Sequence, residues 1–347
     1  MGREQTMAQP DTGTVDTATL AGRRFLVRDH YEVGREKIRE FASAIQNAHT
    51  AHHRAADALA LGYPGVVAPP TFASVIGVAC TRALLDSVLT DYHLTQILQT
   101  DQVFEIHRPI VAGDSIRTGI VIESIRQFGD NDFITVRFEL VNQHGELAQV
   151  GSTTIVARRG AEIDPNLTQA VEAIYMHPRP AGSTDPSALV DAPDAVTAPA
   201  APAAPVHTRP DFDALSAGDV LPAATASLTR GDLTNYAGVS GDPNPIHFSE
   251  KAARLVGLPT VVAHGLLTMG LTADYVTSWL GDPTAVEKFS VRFSGYVPVR
   301  ADSASEIELG GKIKLLDPRR RAATIVLTAT SEGRKLFGRA VAEVRLS

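Results

Sequence analysis

The sequence predicts an α+β protein built twice over, each half an antiparallel sheet wrapped around one long central helix. Three observations carry this: an internal repeat, one apolar segment of helical length in each half, and runs that alternate apolar and polar residues. In the repeat, Phe41-Ala42 matches Tyr236-Ala237, and the segment Leu61 to Ala68 matches Val256 to Ala263. Both pairs share a separation of 195 positions (236 less 41, 256 less 61). Further on, Asp114 pairs with Asp302 and Gly145 with Gly333 at a separation of 188 (302 less 114, 333 less 145), so a loop differs by a few residues.

Taken in order, residues 1–22 are polar and read as a flexible tail, 23–160 as the N-terminal domain, 161–208 as a linker, and 209–347 as the C-terminal domain. The linker ends in an Ala/Pro-rich run with neither helical nor strand period, which makes it a semi-extended spacer. Within it, residues 165–178 have the makings of a short helix. In the second half, Arg230 to Gly238 reads as a helix with Thr229 as N-cap. An irregular loop follows, then the long apolar helix: Thr71 to about Thr90 in the first half, Gly265 to about Leu280 in the second. Asp132 to Gln143 alternates, with Ile134, Val136, Phe138 and Leu140 on one face, and reads as a strand. Ala323 to Thr330 and Lys335 to Leu346 read as a hairpin.

At 347 residues the chain has room for two cores, and 44% hydrophobic with 20% charged residues is ordinary for a globular protein. No apolar run approaches the roughly 20 residues of a membrane span, and the N-terminus lacks the apolar stretch of a signal peptide. The one cysteine, Cys80, sits in an apolar segment, which argues for a cytoplasmic chain without disulfides or a cysteine metal site. A net charge of −7 argues against nucleic acid as partner. The basic cluster Arg319-Arg320-Arg321 follows Asp317-Pro318 and reads as a solvated turn.

Chemistry concentrates between Tyr236 and His247. Gly241, Pro243 and Pro245 stop the preceding helix and stiffen the loop that carries Asp242 and His247. A carboxylate and an imidazole held so can manage both protons of a water addition or removal near neutral pH. Read singly, Asp242 is a turn aspartate, His247 a half-buried histidine, and Asn244 an Asx-turn residue that positions the loop. Ser249 is placed to cap the next short helix. Beyond it, Val261-Val262-Ala263 runs directly into His264-Gly265 at the start of the central helix. The Gly265 N–H, with no side chain over it, suits an oxygen that is gaining negative charge. His264 reads equally as a ligand-facing group or as a packing or capping residue.

Gly241-Asp242-Pro243-Asn244-Pro245-Ile246-His247, with Ala253 and Ala263-His264-Gly265, resembles the hydratase-2 motif of the MaoC-like (R)-specific enoyl hydratases and dehydratases, which are hotdog proteins. The chain is similar in particular to the actinobacterial type II fatty-acid-synthase (3R)-hydroxyacyl-ACP dehydratase, as a HadA-like half followed by a HadB-like half. The HadA-like features are Asp29 to Glu40 and Arg108 to Asp114, and the HadB-like ones include Tyr275 to Pro283. This resemblance implies a double hotdog that reversibly dehydrates (3R)-hydroxyacyl thioesters to trans-2-enoyl thioesters, with no cofactor and no metal. It implies Asp242 and His247 as the acid/base pair and the Gly265 N–H on the thioester carbonyl. It implies an acyl-ACP or acyl-CoA substrate and an acyl carrier protein as partner; monomer and homodimer both stay open. The alternatives are an (R)-specific enoyl-CoA hydratase of fatty-acid degradation, a hotdog acyl thioesterase, and a non-catalytic acyl-binding protein.

Applied to the first half, the same separation puts Asn47 at the place of Asp242, His52 at that of His247, and Pro69-Pro70 at that of His264-Gly265. Proline has no N–H to offer, and an amide replaces the carboxylate, so this half reads as catalytically silent. His52, between His49 and His53, reads as a loop residue. The resemblance implies that this half shapes the acyl tunnel, with Phe72, Val75, Ile76 and Leu84 as candidate wall residues.

Overall fold

The computed structural model describes residues 19–92, 97–158, 188–192, 198–199 and 204–347. The first half opens on β1 (Arg24–Val27) and β2 (Tyr31–Glu32), then α1 (Arg35–Ala44), α2 (Ala55–Ala60) and the long α3 (Ala73–Ser87). Four long strands complete it: β3 (Ile97–Ile106), β4 (Ser115–Phe128), β5 (Asn131–Val141) and β6 (Leu147–Arg158). After the short β7 (Leu189–Asp191), the second half repeats the pattern with β8 (Ala224–Leu228), α4 (Arg230–Ser240), α5 (Glu250–Leu255) and α6 (Gly265–Leu280). It ends on β9 (Val286–Phe293), β10 (Ser305–Asp317), β11 (Ala322–Ser331), β12 (Arg334–Lys335) and β13 (Phe337–Arg345).

The strands form one antiparallel sheet in the order β7, β1, β4, β5, β6, β3, β9, β13, β11, β10, β8, with β2 on β4 and β12 on β11. Read outward from its centre, the order is the same on both sides: β3, β6, β5, β4, β1 against β9, β13, β11, β10, β8. The repeat in the sequence is therefore a repeat in the fold, a double hotdog, and β3 and β9 are its seam, with Phe104 opposite Phe289. Gly145 and Gly333 mark the matching hairpin in each half, at φ of 74° and 72°. Only glycine takes that backbone without strain.

Each half curls around its long helix. α6 is apolar on nearly every side and buries residues from Leu266 to Leu280, as a helix enclosed by its own sheet must. It also meets the other half: a side chain at Gly270 would collide with Ile45, which follows α1. α1 and α4 pack together across the junction, with Phe41 against Tyr236, and Lys37 donates to the Val239 carbonyl in the last turn of α4. Thr229 starts α4 with a capping box, exchanging bonds with Asp232.

Two boundaries move. Leu20 is buried and the Gly22 N–H donates to the Ile122 carbonyl, so residues 19–22 belong to the first domain and not to a tail. Within the expected linker, Leu189–Asp191 pairs with β1 and Arg23 bonds to Asp191, because the open edge of β1 supplies the partners that this segment's own pattern does not advertise. Residues 1–18 and the expected helix at 165–178 lie outside the described residues. α3 is shorter than its apolar run at both ends, where single-turn contacts from Pro69 and Leu84 take over.

Candidate active site

α4 ends at Gly241, whose left-handed φ of 74° turns the chain away from the helix axis. The next residue is Asp242, half-buried, whose Oδ1 accepts the Asn244 N–H at 3.1 Å. Asn244 in turn accepts the Ile246 N–H and caps the 3-10 turn Pro245–His247. Asn244 is thus the Asx residue that holds the loop's shape. Ser249 caps α5 by accepting the Ala252 N–H.

His247 is 7% exposed, and its Nδ1 lies 2.7 Å from the Val262 carbonyl. A carbonyl can only accept, so Nδ1 carries the proton and the neutral ring presents Nε2 as a base. Burial holds the imidazole pKa below its usual value, while the Asp242 charge and the Val262 bond pull the other way. The ring is accordingly kept in the form that can take a proton.

His264 stacks on His247, with ring centroids 3.7 Å apart and 27° between planes, and its other side faces Tyr236 at 5.0 Å. It is 1% exposed and neither ring nitrogen reaches a hydrogen-bond partner, so its pKa lies well below normal, through burial and then the neighbouring His247. A main-chain contact with Asp242 acts weakly in the opposite direction. Of the two readings open for His264, the structure favours packing: it stands behind His247 and off the cavity wall, and its side chain makes no cap. Gly265 is the first residue of α6, so its N–H has no intrahelical acceptor, and the Phe293 ring lies 3.1 Å from where a Cβ would stand.

Asp242, His247 and Gly265 border one cavity of about 240 Å³. Its remaining walls come largely from the first half: Ser74, Gly77, Val78, Thr81, Arg82 and Leu85 of α3, Ile97, Leu98, Gln99 and Gln102 of β3, Phe138 of β5, and Thr153 and Ile155 of β6. From the second half Ile246, Val262, Leu266, Phe293 and Tyr296 are among the residues that also line it. The α3 residues recur at intervals of three and four, one stripe of a helix. Phe72, Val75, Ile76 and Leu84 are not on that stripe. They are buried in the core, and the cavity belongs to the face beside them. Arg82 is the one cation of the α3 stripe and pairs with Asp86 at 3.6 Å.

The first half holds a counterpart of this arrangement. His52 Nδ1 lies 2.6 Å from the Val67 carbonyl, reproducing the His247–Val262 bond at the same separation of 195 (247 less 52, 262 less 67). His52 is fully buried, not a solvated loop residue, because the repeat carries it to the place of its counterpart. Asn47 is buried too, and its amide reaches Thr277 of α6 at 3.4 Å, so the other half closes over the place where a substrate would sit. Burial pushes the His52 pKa from 6.5 down to about 3.

A stability prediction arises here. Below pH 6.5 the unfolded chain takes up a proton on His52 that the folded chain refuses until about pH 3. The unfolded state then binds more protons, so stability falls as pH drops through that window, with a slope of up to about 1.4 kcal/mol per pH unit from this residue. His247 and His264 act in the same direction. Urea midpoints at pH 7.5 and pH 5 measure it: the midpoint is lower at pH 5, and His52→Gln, which keeps a donor for Val67, reduces the difference. Equal midpoints would contradict it.

Asp242, His247 and His264 are also the one trio among the described residues able to offer three metal-ligand atoms within 4.8 Å of one another. A cation there would occupy the lone pairs that proton transfer needs, so the two uses exclude each other.

Comparisons with known proteins place the chain in a family and a fold. Residues 19–149 match the family model "FAS1-like, dehydratase domain region", and residues 212–330 match "MaoC like domain". The chain is 41% identical over 147 residues to a UPF0336 protein of Saccharopolyspora erythraea, across 42% of this chain and 94% of the relative. The architecture is shared with a conserved hypothetical protein of Mycobacterium tuberculosis described as a double hotdog, at TM-score 0.62 and 15% identity, covering 94% of this chain and 96% of that one. The double hotdog is therefore the class. A solved MaoC-like dehydratase is 43% identical, with TM-score 0.85 over 94% of this chain and 99% of its own, and the chain belongs to the MaoC-like dehydratases.

Proposed function

We propose that the chain catalyses the reversible dehydration of (3R)-hydroxyacyl thioesters to trans-2-enoyl thioesters at one site, built on Asp242, His247 and the Gly265 N–H. The carrying observation is the His247–Val262 bond, which leaves a neutral imidazole with Nε2 as a base beside a carboxylate on a cavity wall. In the dehydration direction His247 Nε2 takes the C2 proton and the C2–H electron pair becomes the C2=C3 double bond. The C3–O bond breaks, and the departing hydroxyl takes a proton from the Asp242–His247 pair and leaves as water. The Gly265 N–H donates to the thioester carbonyl oxygen as charge builds on it. The half that carries Asn47 and Pro70 supplies walls and no chemistry.

The resemblance to the type II fatty-acid-synthase enzymes favours acyl carrier protein as the carrier of the substrate. No helix among the described residues is long and apolar enough to cross a membrane. The test is hydration of crotonyl-CoA by the purified chain, with the product resolved by chirality. Formation of (3R)-3-hydroxybutyryl-CoA is expected, with no release of free thiol. Thiol release without hydration would make the chain a thioesterase, and neither reaction would make it a binding protein. Turnover of acyl-ACP and acyl-CoA of equal chain length then decides the carrier.

A further inference from the structure

The cavity crosses the seam of the sheet, and the strand order shows how far across the sheet its lining reaches. From the catalytic side its sheet wall passes Phe293 on β9, Ile97, Leu98, Gln99 and Gln102 on β3, Thr153 and Ile155 on β6, and reaches Phe138 on β5. Phe138 is 1% exposed, and its ring is seated between two glycines, one above and one beside it. A Cβ on Gly77 of α3 would stand 2.7 Å from Phe138 Cζ, and one on Gly151, directly opposite Phe138 in β6, would overlap the ring. The two missing side chains let a large aromatic fill the space between helix and sheet at the point farthest from Asp242 along the strand order.

The wall before it is mixed, with one polar group at Gln102 set among the apolar Ile97, Leu98 and Ile155. Gln102 is 2% exposed, and its Oε1 accepts from Thr153 Oγ1 at 2.7 Å and Gln99 Nε2 at 2.8 Å. A methylene chain gains little against that one group, whose amide and hydroxyl are already satisfied, and its apolar contacts there are Ile97, Leu98 and Ile155. The volume agrees: about 240 Å³ is below the roughly 300–1,000 Å³ of ordinary small-molecule pockets.

We propose that Phe138 closes the far end of the acyl pocket and, held by Gly77 and Gly151, restricts this site to short-chain (3R)-hydroxyacyl and enoyl thioesters. The inference rests on the dehydratase reading and names its substrate class. Each methylene that finds room in an apolar pocket is worth roughly fourfold in affinity. One that finds none is worth nothing or clashes.

The experiment compares kcat/KM for crotonyl-, hexenoyl-, octenoyl- and dodecenoyl-CoA in the full-length protein and in Phe138→Leu, Phe138→Ala and Gly77→Ala. The unaltered protein is expected to fall by at least about tenfold between hexenoyl and octenoyl. Phe138→Leu, which keeps most of the packing, is expected to raise the octenoyl-to-crotonyl ratio by roughly tenfold. Phe138→Ala, where it folds, raises it further by opening a void on the order of 150 Å³. Gly77→Ala pushes the ring toward the pocket and lowers the hexenoyl-to-crotonyl ratio.

A flat chain-length profile in the unaltered protein, or an unchanged one in folded Phe138→Leu, overturns the proposal. If no enoyl thioester is turned over at any length, the dehydratase reading fails instead. The wall is then judged by calorimetry with butyryl- and dodecanoyl-CoA. Tighter dodecanoyl binding in Phe138→Leu than in the unaltered protein supports it, and equal binding overturns it.

Discussion

Asp242→Asn is expected to lower the rate of crotonyl-CoA hydration by about 10³-fold while leaving the fold intact. The amide is the same size, and its oxygen can still accept the Asn244 N–H that shapes the loop. Only the charge beside His247 is lost, and with it the ability to accept and return a proton. His247→Ala is expected to cost at least as much activity. It also removes the donor to the Val262 carbonyl, which adds a stability loss of roughly 1–3 kcal/mol. The measurement is kcat with thermal unfolding and circular dichroism in parallel. Full activity in either folded variant would remove that residue from the site.

Gly265→Pro is expected to reduce kcat by about 10²–10³-fold, the usual consequence of removing one oxyanion donor. In the first half Pro70 stands at the matching sequence position, three residues before α3 begins (73 less 70). The backbone at Gly265 is ready for proline: His264 has φ −59° and ψ 135°, the conformation that precedes proline, and the first position of a helix tolerates proline well. The added carbons press on Phe293, so Gly265→Ala is the control; it brings the same crowding and keeps the N–H. A small effect in alanine and a large one in proline isolates the donor. Equal effects would assign the loss to Phe293. In the same spirit, Asn47→Asp placed in a His247→Ala background is expected to show no activity, because Pro70 still has no N–H to give.

What could be read from the sequence follows from which forces are local. The α4 cap at Thr229, the proline-stiffened loop of Asp242 and His247 and the start of α6 at Gly265 all depend on neighbours within a few positions, and each stands where its residues predict. The repeat made the outline of the whole fold legible, because two copies of one pattern need one explanation. The cavity wall was not legible in the same way. α3 is apolar around most of its girth, so its pattern alone does not tell the stripe facing the core, with Ile76 and Leu84, from the stripe facing the cavity, with Gly77 and Thr81. That choice is made by the contact between halves, which appears in no local window. His52 and the strand at Leu189–Asp191 escaped for the same reason: burial by a distant segment decides the first, and an open sheet edge decides the second.

The seam between β3 and β9 has a bearing on how the protein reaches its working form. Two separate subunits must find one another by diffusion, and the yield of the joined sheet then depends on how much of each is present. Here the two partners share a chain, so joining is a first-order event whose effective concentration is of the order of millimolar for flexible connections and does not change with dilution. Every molecule also receives one half that carries Asp242 and one that carries Asn47, in fixed equal proportion. A single gene product thus cannot pair two halves of the same kind without trading strands with another copy.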